Sequence, residues 1–141
     1  MRALAIAAVT LAPALALAQP SPRAFELPWD DVAPRVEGEL VRTAAVAAPD
    51  ERIGRFAPRR ASARSAGRAR ALAALHAWAD GALAPLHADP RAAQAVHDAI
   101  DRGARVEGVR PLADGGAVVV VVVPLDALRD ASPVEGAPWS R

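Results

Sequence analysis

The longest periodic stretch of the chain covers residues 60–86, where apolar side chains recur every three or four positions. That spacing places them on one face of an α-helix, and Pro85 and Pro90 end the pattern because proline lacks the N–H that a helix interior needs. Continued toward the N-terminus, the stripe meets Arg68 and Arg64, so we expect the first turns to project beyond the core. The predicted stripe consists of Leu72, Leu75, Ala79, Leu83 and Leu86.

A second helix is marked by its sequence at both ends. Asp89 can cap free backbone N–H groups, Pro90 suits the first helical position, and Gly103 suits the residue after the last turn. We therefore expect a helix over about residues 90–102. Its predicted apolar stripe consists of Ala93, Val96 and Ile100.

A β-hairpin is predicted after the second helix. Residues 105–112 alternate apolar and polar side chains, with a change of phase at Gly108 where a bulge is expected. Residues 114–116 (Asp-Gly-Gly) are typical of a turn, and residues 118–123 are six consecutive valines. A strand without polar alternation is typically buried on both faces, so we expect helices, or one helix and a partner subunit, to cover it.

The valine strand is predicted to lie inside the sheet, since an exposed edge of this composition would aggregate. Residues 105–112 would pair with one of its edges and a third strand, residues 40–48, with the other. These elements predict an α+β fold in which two helices pack on a small antiparallel sheet, with a disordered N-terminal segment and C-terminal tail. The predicted domain covers residues 40–131, between an irregular segment rich in proline and acidic residues (19–39) and a loose tail (132–141).

Residues 1–18 have the composition of a secretory signal peptide. Arg2 precedes an uncharged, mostly aliphatic run of about fifteen residues, whereas a membrane-spanning helix needs about 20. Ala16 and Ala18 form the small-x-small pattern that signal peptidase recognises, so we expect cleavage after Ala18. The mature protein would then be periplasmic or secreted and would keep no transmembrane anchor.

The composition excludes several kinds of site and shows where the charges lie. Cysteine is absent, which excludes disulfides, thiolate metal ligands, a cysteine nucleophile and a lipid-modified cysteine. Seventeen arginines and sixteen acidic residues give a formal charge of +1, so the whole chain is nearly neutral. The charges are nevertheless unevenly placed, because residues 52–70 contain seven arginines and no acid, while residues 26–51 contain seven acids and two arginines.

The arginine-rich segment 52–70 is the feature of the sequence that implies a partner. Guanidinium groups bind phosphates and carboxylates through paired hydrogen bonds, which suits an anionic envelope polymer or a lipid head group. Nucleic acid is not an expected partner, because Phe56 is the only aromatic residue of the segment. The alternative is a solvated segment whose charge the preceding acidic residues offset. The candidate anion-binding residues are Arg59, Arg60, Arg64 and Arg68.

The sequence contains no arrangement of residues that predicts catalysis. His76, His87 and His97 are eleven and ten residues apart, so no two of them have the spacing of a helical metal-binding pair. His76 and Asp80 are four residues apart, but two ligands do not complete a metal site. No serine lies in a nucleophile elbow. We expect no catalytic, cofactor-binding or metal-binding residue and no cofactor, with a small hydrolase or metal-dependent enzyme as a remote alternative.

Two parts of the chain resemble a known bacterial family. Residues 59–75, which begin Arg-Arg-Ala-Ser-Ala-Arg, resemble the alanine- and arginine-rich first helix of the Lpp-twenty family, named after a twenty-kilodalton envelope lipoprotein. Residues 103–125 resemble the end of that family: a strand, an Asp-Gly turn, an apolar strand and Pro-Leu. The resemblance covers about residues 40–130 and implies a secreted or lipid-anchored protein without a catalytic motif, although the lipidated cysteine is missing here.

Taken with the signal pattern, this resemblance predicts a non-catalytic cell-envelope protein. Its partner would be an unknown protein or another envelope component, and self-association into a homo-oligomer stays open. Binding of anionic polymers through residues 52–70 is the alternative function.

Overall fold

The computed structural model of the protein describes residues 26–140, which form a mixed α+β fold of four strands and three α-helices. This architecture confirms the predicted fold class. The predicted signal peptide lies outside the described residues. None of the helices within residues 26–140 is both long and apolar enough to cross a membrane. The elements are β1 (Val32–Glu37), β2 (Leu40–Ala47), α1 (Phe56–Leu83), a 3₁₀ turn (Ala84–Leu86), α2 (Pro90–Gly103), β3 (Arg105–Pro111), β4 (Ala117–Pro124) and α3 (Leu125–Ala131).

The sheet is antiparallel throughout and has the order β1-β2-β4-β3. The valine strand β4 therefore pairs on both edges with the two strands that the sequence predicts, and residues 118–123 are all buried. The expected bulge lies between Val106 and Gly108, where the register of β3 shifts. At the other edge of the sheet β1 also shifts register, so both outer strands are irregular, which discourages pairing with another chain.

Strand β1 corrects the prediction of an irregular segment over residues 19–39 in its described part, residues 26–39; residues 19–25 lie outside the described residues. It forms the outer strand of the sheet beside β2. Pro34 is compatible with a strand here because an edge strand has one side without ladder hydrogen bonds, so the missing N–H costs nothing there. The register also shifts between Val32 and Arg35, and this irregularity brackets the proline.

Helix α1 packs on the sheet along the predicted apolar face, in which Leu75, Ala79 and Leu83 are buried. Toward the N-terminus the buried face continues as a stripe of small residues, which the sequence did not predict. The early turns of α1 do not project beyond the core, because Ala63 and Gly67 are buried. The helix approaches β4 closely at Gly67, where an added Cβ would lie 2.6 Å from Cγ2 of Val119. The leucine-based prediction missed this contact because small side chains, rather than large ones, set it. The buried residues of α1 are Ala63, Gly67, Ala71, Leu75, Ala79 and Leu83.

The second face of the sheet is covered by chain from the N-terminal side rather than by a helix. Residues 26–31, here called the N-terminal strap, run beside this face, and Leu27 packs against the cluster that contains Val118 and Val120. Gly108 makes room for it, since a Cβ there would overlap with Cδ2 of Leu27. The expectation that helices mask both faces is therefore wrong for this one.

Residues 132–140, which follow α3, form no helix or strand, but they are not loose. Trp139 is fully buried, and its Nε1 donates a hydrogen bond of 3.1 Å to the carbonyl oxygen of Ser132. Its ring lies 5.6 Å, centroid to centroid, from that of Trp78 on α1. Residues 132–140 therefore complete the core, which corrects the prediction of a loose tail over this part of residues 132–141.

Candidate anion-binding surface

Three of the four candidate arginines lie on one exposed stripe of α1. Arg60, Arg64 and Arg68 are four residues apart, so they follow one another along the same side of the helix. All three are exposed, and the helix rises about 12 Å between the first and the last. We call these three residues the basic stripe.

Arg59 does not belong to the basic stripe. One residue corresponds to about 100° of rotation around a helix, so its side chain leaves α1 in another direction. Its Nε donates a hydrogen bond of 3.0 Å to the carbonyl oxygen of Ile53, and its Cδ would lie 3.3 Å from a Cβ at Gly115. Arg59 therefore joins the loop before α1 to the β3–β4 turn, and its inclusion among the anion-binding residues is not supported by its position.

The acidic residues of segment 26–51 do not neutralise the basic stripe. Within residues 26–140, Arg60, Arg64 and Arg68 form no ion pair, while Arg70 pairs weakly with Asp31 at 3.4 Å. Pairing between the acidic segment 26–51 and the arginine-rich segment 52–70 is thus limited to Arg70, the last residue of the arginine-rich segment. The basic stripe itself faces solvent.

The start of α1 is electrostatically unfavourable for cations. The N-terminal end of a helix carries a partial positive charge, which acidic residues usually offset, yet the first turn of α1 contains none. Arg55 occupies the N-cap position and provides no side-chain acceptor for the free N–H groups. Like charges four residues apart destabilise a helix by about 0.2–0.5 kcal/mol per pair. The first turn of α1 therefore carries positive charge that no side chain of that turn offsets.

A groove of about 290 Å³ lies beside the stripe, between α1 and the β3–β4 hairpin. Arg60 and Arg64 form its helix side, and Val109 lies on its sheet side. The groove therefore combines two guanidinium groups with an apolar floor. Its remaining lining residues are Ala61, Pro111, Gly116 and Ala117.

Phe56 continues the stripe by one turn toward the N-terminus. It is the first residue of α1, lies four residues before Arg60, and is 55% exposed. The guanidinium carbon of Arg60 lies 4.5 Å from the centre of its ring. In the sequence, the four-residue spacing between Phe56 and Arg60 is the signal that both lie on the same side of the helix.

Two of the three histidines meet at the contact between α1 and α2. The rings of His76 and His97 stack at 4.7 Å with an angle of 6° between their planes. Nε2 of His76 contacts Oδ1 of Asp101 at 3.0 Å, and Nε2 of His97 contacts Oδ1 of Asp80 at 2.7 Å. Each histidine thus pairs with an aspartate of the other helix. The repeated His-x-x-x-Asp pattern, at 76–80 and 97–101, was the signal for this pairing.

His87 does not join the stacked pair. It ends the 3₁₀ turn in the left-handed conformation, with φ of 49°. Among residues 26–140, no group of three or more histidine, aspartate or glutamate side chains is arranged to hold a metal ion. The histidine pair therefore joins two helices, and the three histidines do not converge as the remote metal-dependent alternative requires.

A second charged cluster, on β1, β2 and β3, is saturated by its own ion pairs. Arg42 binds Glu107 through two hydrogen bonds of 2.7 Å and also contacts Glu37. The hydrogen bond to Glu107 is the main reason that the pKa of Arg42 is raised. Burial raises the pKa of Glu37, but hydrogen bonds and charges from Arg35 and Arg42 outweigh it and hold the pKa below its ordinary value. This cluster ties three strands together, and both of its arginines already pair with carboxylates.

No protein-family model matches this chain, and no curated protein or solved structure is similar to it. The resemblance to the Lpp-twenty family therefore stays a prediction from the residues that carry it.

Proposed function

We propose that the protein is a non-catalytic, secreted or periplasmic cell-envelope protein that binds anionic envelope polymers through the basic stripe. One observation carries the proposal: three exposed arginines follow one another along α1, and within residues 26–140 no carboxylate pairs with them. Such an arrangement repels itself unless an anion binds to it. Export rests on the signal pattern of residues 1–18, and the envelope role rests on the family resemblance.

The chemistry of the stripe suits phosphate and carboxylate groups that recur along a polymer. A guanidinium group donates two parallel hydrogen bonds to such an anion. The three side chains are spaced along about 12 Å of helix, so successive anionic groups of one chain can each meet an arginine. Binding of this kind releases counterions and needs no enclosed pocket, which agrees with the open surface on which the stripe lies.

The proposal is tested by removing the charge of the stripe and measuring affinity for heparin as a model polyanion. We expect the stripe variant to bind at least about tenfold more weakly than the wild-type protein, since each charged contact contributes on the order of 1 kcal/mol. Circular dichroism and thermal unfolding check that the fold is intact. The stripe variant carries Arg60→Gln, Arg64→Gln and Arg68→Gln.

A control variant loses the same three charges elsewhere on the surface. Its exposed arginines lie on α2 and β3, away from the stripe, so its heparin affinity should stay within about threefold of the wild-type value. Equal losses in the two variants would mean that only net charge matters, and the proposed site would be wrong. The control variant carries Arg91→Gln, Arg102→Gln and Arg105→Gln.

Two single substitutions compare the contribution of the stripe to heparin binding with that of Arg59. Arg59 is engaged with Ile53, so Arg59→Gln should leave heparin affinity nearly unchanged while Arg64→Gln lowers it about fivefold. The reverse order would place the anion-binding surface on the other side of α1.

A further inference from the structure

The basic stripe begins with an apolar side chain that a hydrated polymer does not need. Within residues 26–140, three large hydrophobic residues are exposed: Trp29, Val36 and Phe56. Single exposed apolar residues are ordinary on protein surfaces. Phe56 differs from the other two because it lies in line with three arginines, one helical turn before the first.

The pair formed by Phe56 and Arg60 has the arrangement of an interfacial anchor. The guanidinium carbon of Arg60 lies 4.5 Å from the centre of the ring, so a cation and an exposed apolar group are presented together. At a lipid surface, side chains of this kind place the charge among the head groups and the ring at the boundary with the acyl chains. A soluble polyanion would use the arginine alone.

The groove beside the stripe adds a second apolar element in the same place. Arg60 and Arg64 line it together with Val109, Pro111 and Ala117. The guanidinium groups can hold the phosphate of a lipid head group, while the apolar floor can accept the first part of an acyl chain. Charge at the rim with apolar surface behind it matches an amphiphile better than a uniformly charged chain.

Along α1 itself, no carboxylate lies beside the basic stripe. Helix α1 has no acidic residue before Asp80, which lies twelve residues after Arg68 and therefore about 18 Å further along the axis. Phe56 and the three arginines also span about 18 Å of one helix side. This side of α1 can therefore lie along a surface with all four side chains in contact.

We propose that the partner of the basic stripe is an anionic lipid surface, on which Phe56 enters the boundary between head groups and acyl chains. This inference rests on the proposed function, because it names the kind of polyanion that the stripe meets. Phe56 distinguishes this inference from the proposed function, because a lipid surface contacts the phenyl ring, whereas a soluble polymer contacts the arginines only.

The test compares two probes with the purified full chain. Vesicles of phosphatidylcholine, alone or mixed with phosphatidylglycerol, are sedimented with the protein, and heparin affinity is measured in parallel. Of the two kinds of vesicle, we expect the protein to bind only those that contain phosphatidylglycerol. Phe56→Ala should weaken vesicle binding about tenfold and leave heparin affinity within about twofold. Phe56→Trp should bind the mixed vesicles about as tightly as the wild-type protein does. The emission of the tryptophan introduced at position 56 should shift to shorter wavelength when the mixed vesicles are added.

Trp29→Ala is the matched control. Trp29 is also an exposed aromatic residue beneath an arginine, but it lies in the N-terminal strap, so its loss should not change vesicle binding. Equal vesicle affinity of Phe56→Ala and Trp29→Ala would overturn the inference. A wild-type protein that binds heparin but not the mixed vesicles would overturn it too and leave the proposed function standing. Failure to bind either probe would overturn both.

Discussion

The guanidinium carbon of Arg110 lies 3.9 Å from the centre of the Trp29 ring. The same side chain donates hydrogen bonds from Nε to the carbonyl oxygens of Leu27 and Pro28, at 3.1 and 3.2 Å. One residue of β3 therefore holds three consecutive residues of the N-terminal strap. Because the strap packs against the second face of the sheet, Arg110 also helps to keep the valines of that face away from water.

Arg110→Ala should release the strap. We expect the free energy of unfolding to fall by about 1–3 kcal/mol, since hydrogen bonds from a charged donor and a cation–π contact are lost. The exposed valines should then bind a hydrophobic dye such as ANS. Arg105→Ala, an exposed position on the same strand, is the control. Urea unfolding that does not distinguish the two variants would show that Arg110 does not hold the strap.

A charge introduced at either face of β4 should unfold the protein. Val120 and Val121 are 1% and 0% exposed and point to opposite faces of the sheet. An unpaired buried carboxylate costs several kcal/mol, so Val120→Asp and Val121→Asp should both abolish cooperative thermal unfolding. Val36→Asp, on the outer strand and 42% exposed, should fold normally. A stable Val120→Asp protein would mean that the strap leaves its face open to water.

Removal of the Trp139 side chain should destabilise the protein although it lies near the end of the chain. The side chain is fully buried, so Trp139→Ala should lower the free energy of unfolding by about 3–5 kcal/mol. Trp29→Ala, which removes an exposed indole, should cost about 1 kcal/mol or less. Chemical unfolding curves compare the two. Equal losses would show that the tail does not complete the core.

The ion pairs of Glu37 predict a dependence of stability on pH. Because the pKa of Glu37 is lowered in the folded protein, its carboxylate contributes stability above its ordinary pKa of 4.5 and loses that contribution as pH falls through the lowered pKa of the folded protein. Glu37→Gln should therefore be less stable than the wild-type protein at neutral pH, by about 0.5–1 kcal/mol. The difference should disappear in acid. Thermal unfolding at several pH values measures this difference in stability, and a difference that does not change with pH would contradict this account.

Elements with strong local signals were predictable from the sequence. The cap and proline at Asp89 and Pro90 mark α2, and the turn and valine run mark the β3–β4 hairpin. Strand β1 was missed because a proline usually argues against a strand, and only its position at an edge makes Pro34 acceptable. The buried face of α1 was predicted from Leu75 onward. Its N-terminal part was missed because Gly67 offers no apolar side chain to count, although the closeness of Gly67 to β4 decides the packing.

The candidate site was predictable in part. The arginine-rich segment is visible in the sequence, and the four-residue spacing of Arg60, Arg64 and Arg68 already separates them from Arg59. The groove could not be foreseen, because it forms only where α1 lies beside β3 and brings Val109 next to two arginines. The exposure of Phe56 likewise depends on where the first turn of α1 begins.

The salt dependence of heparin binding tests the central claim most directly. Each arginine that binds an anionic group releases roughly one counterion, so the logarithm of the association constant should fall with the logarithm of the salt concentration with a slope of about −2 to −3. In the variant that lacks Arg60, Arg64 and Arg68 the slope should approach zero, while the control variant should keep the wild-type slope. A wild-type slope near zero, or the same steep slope in the stripe variant, would contradict the account.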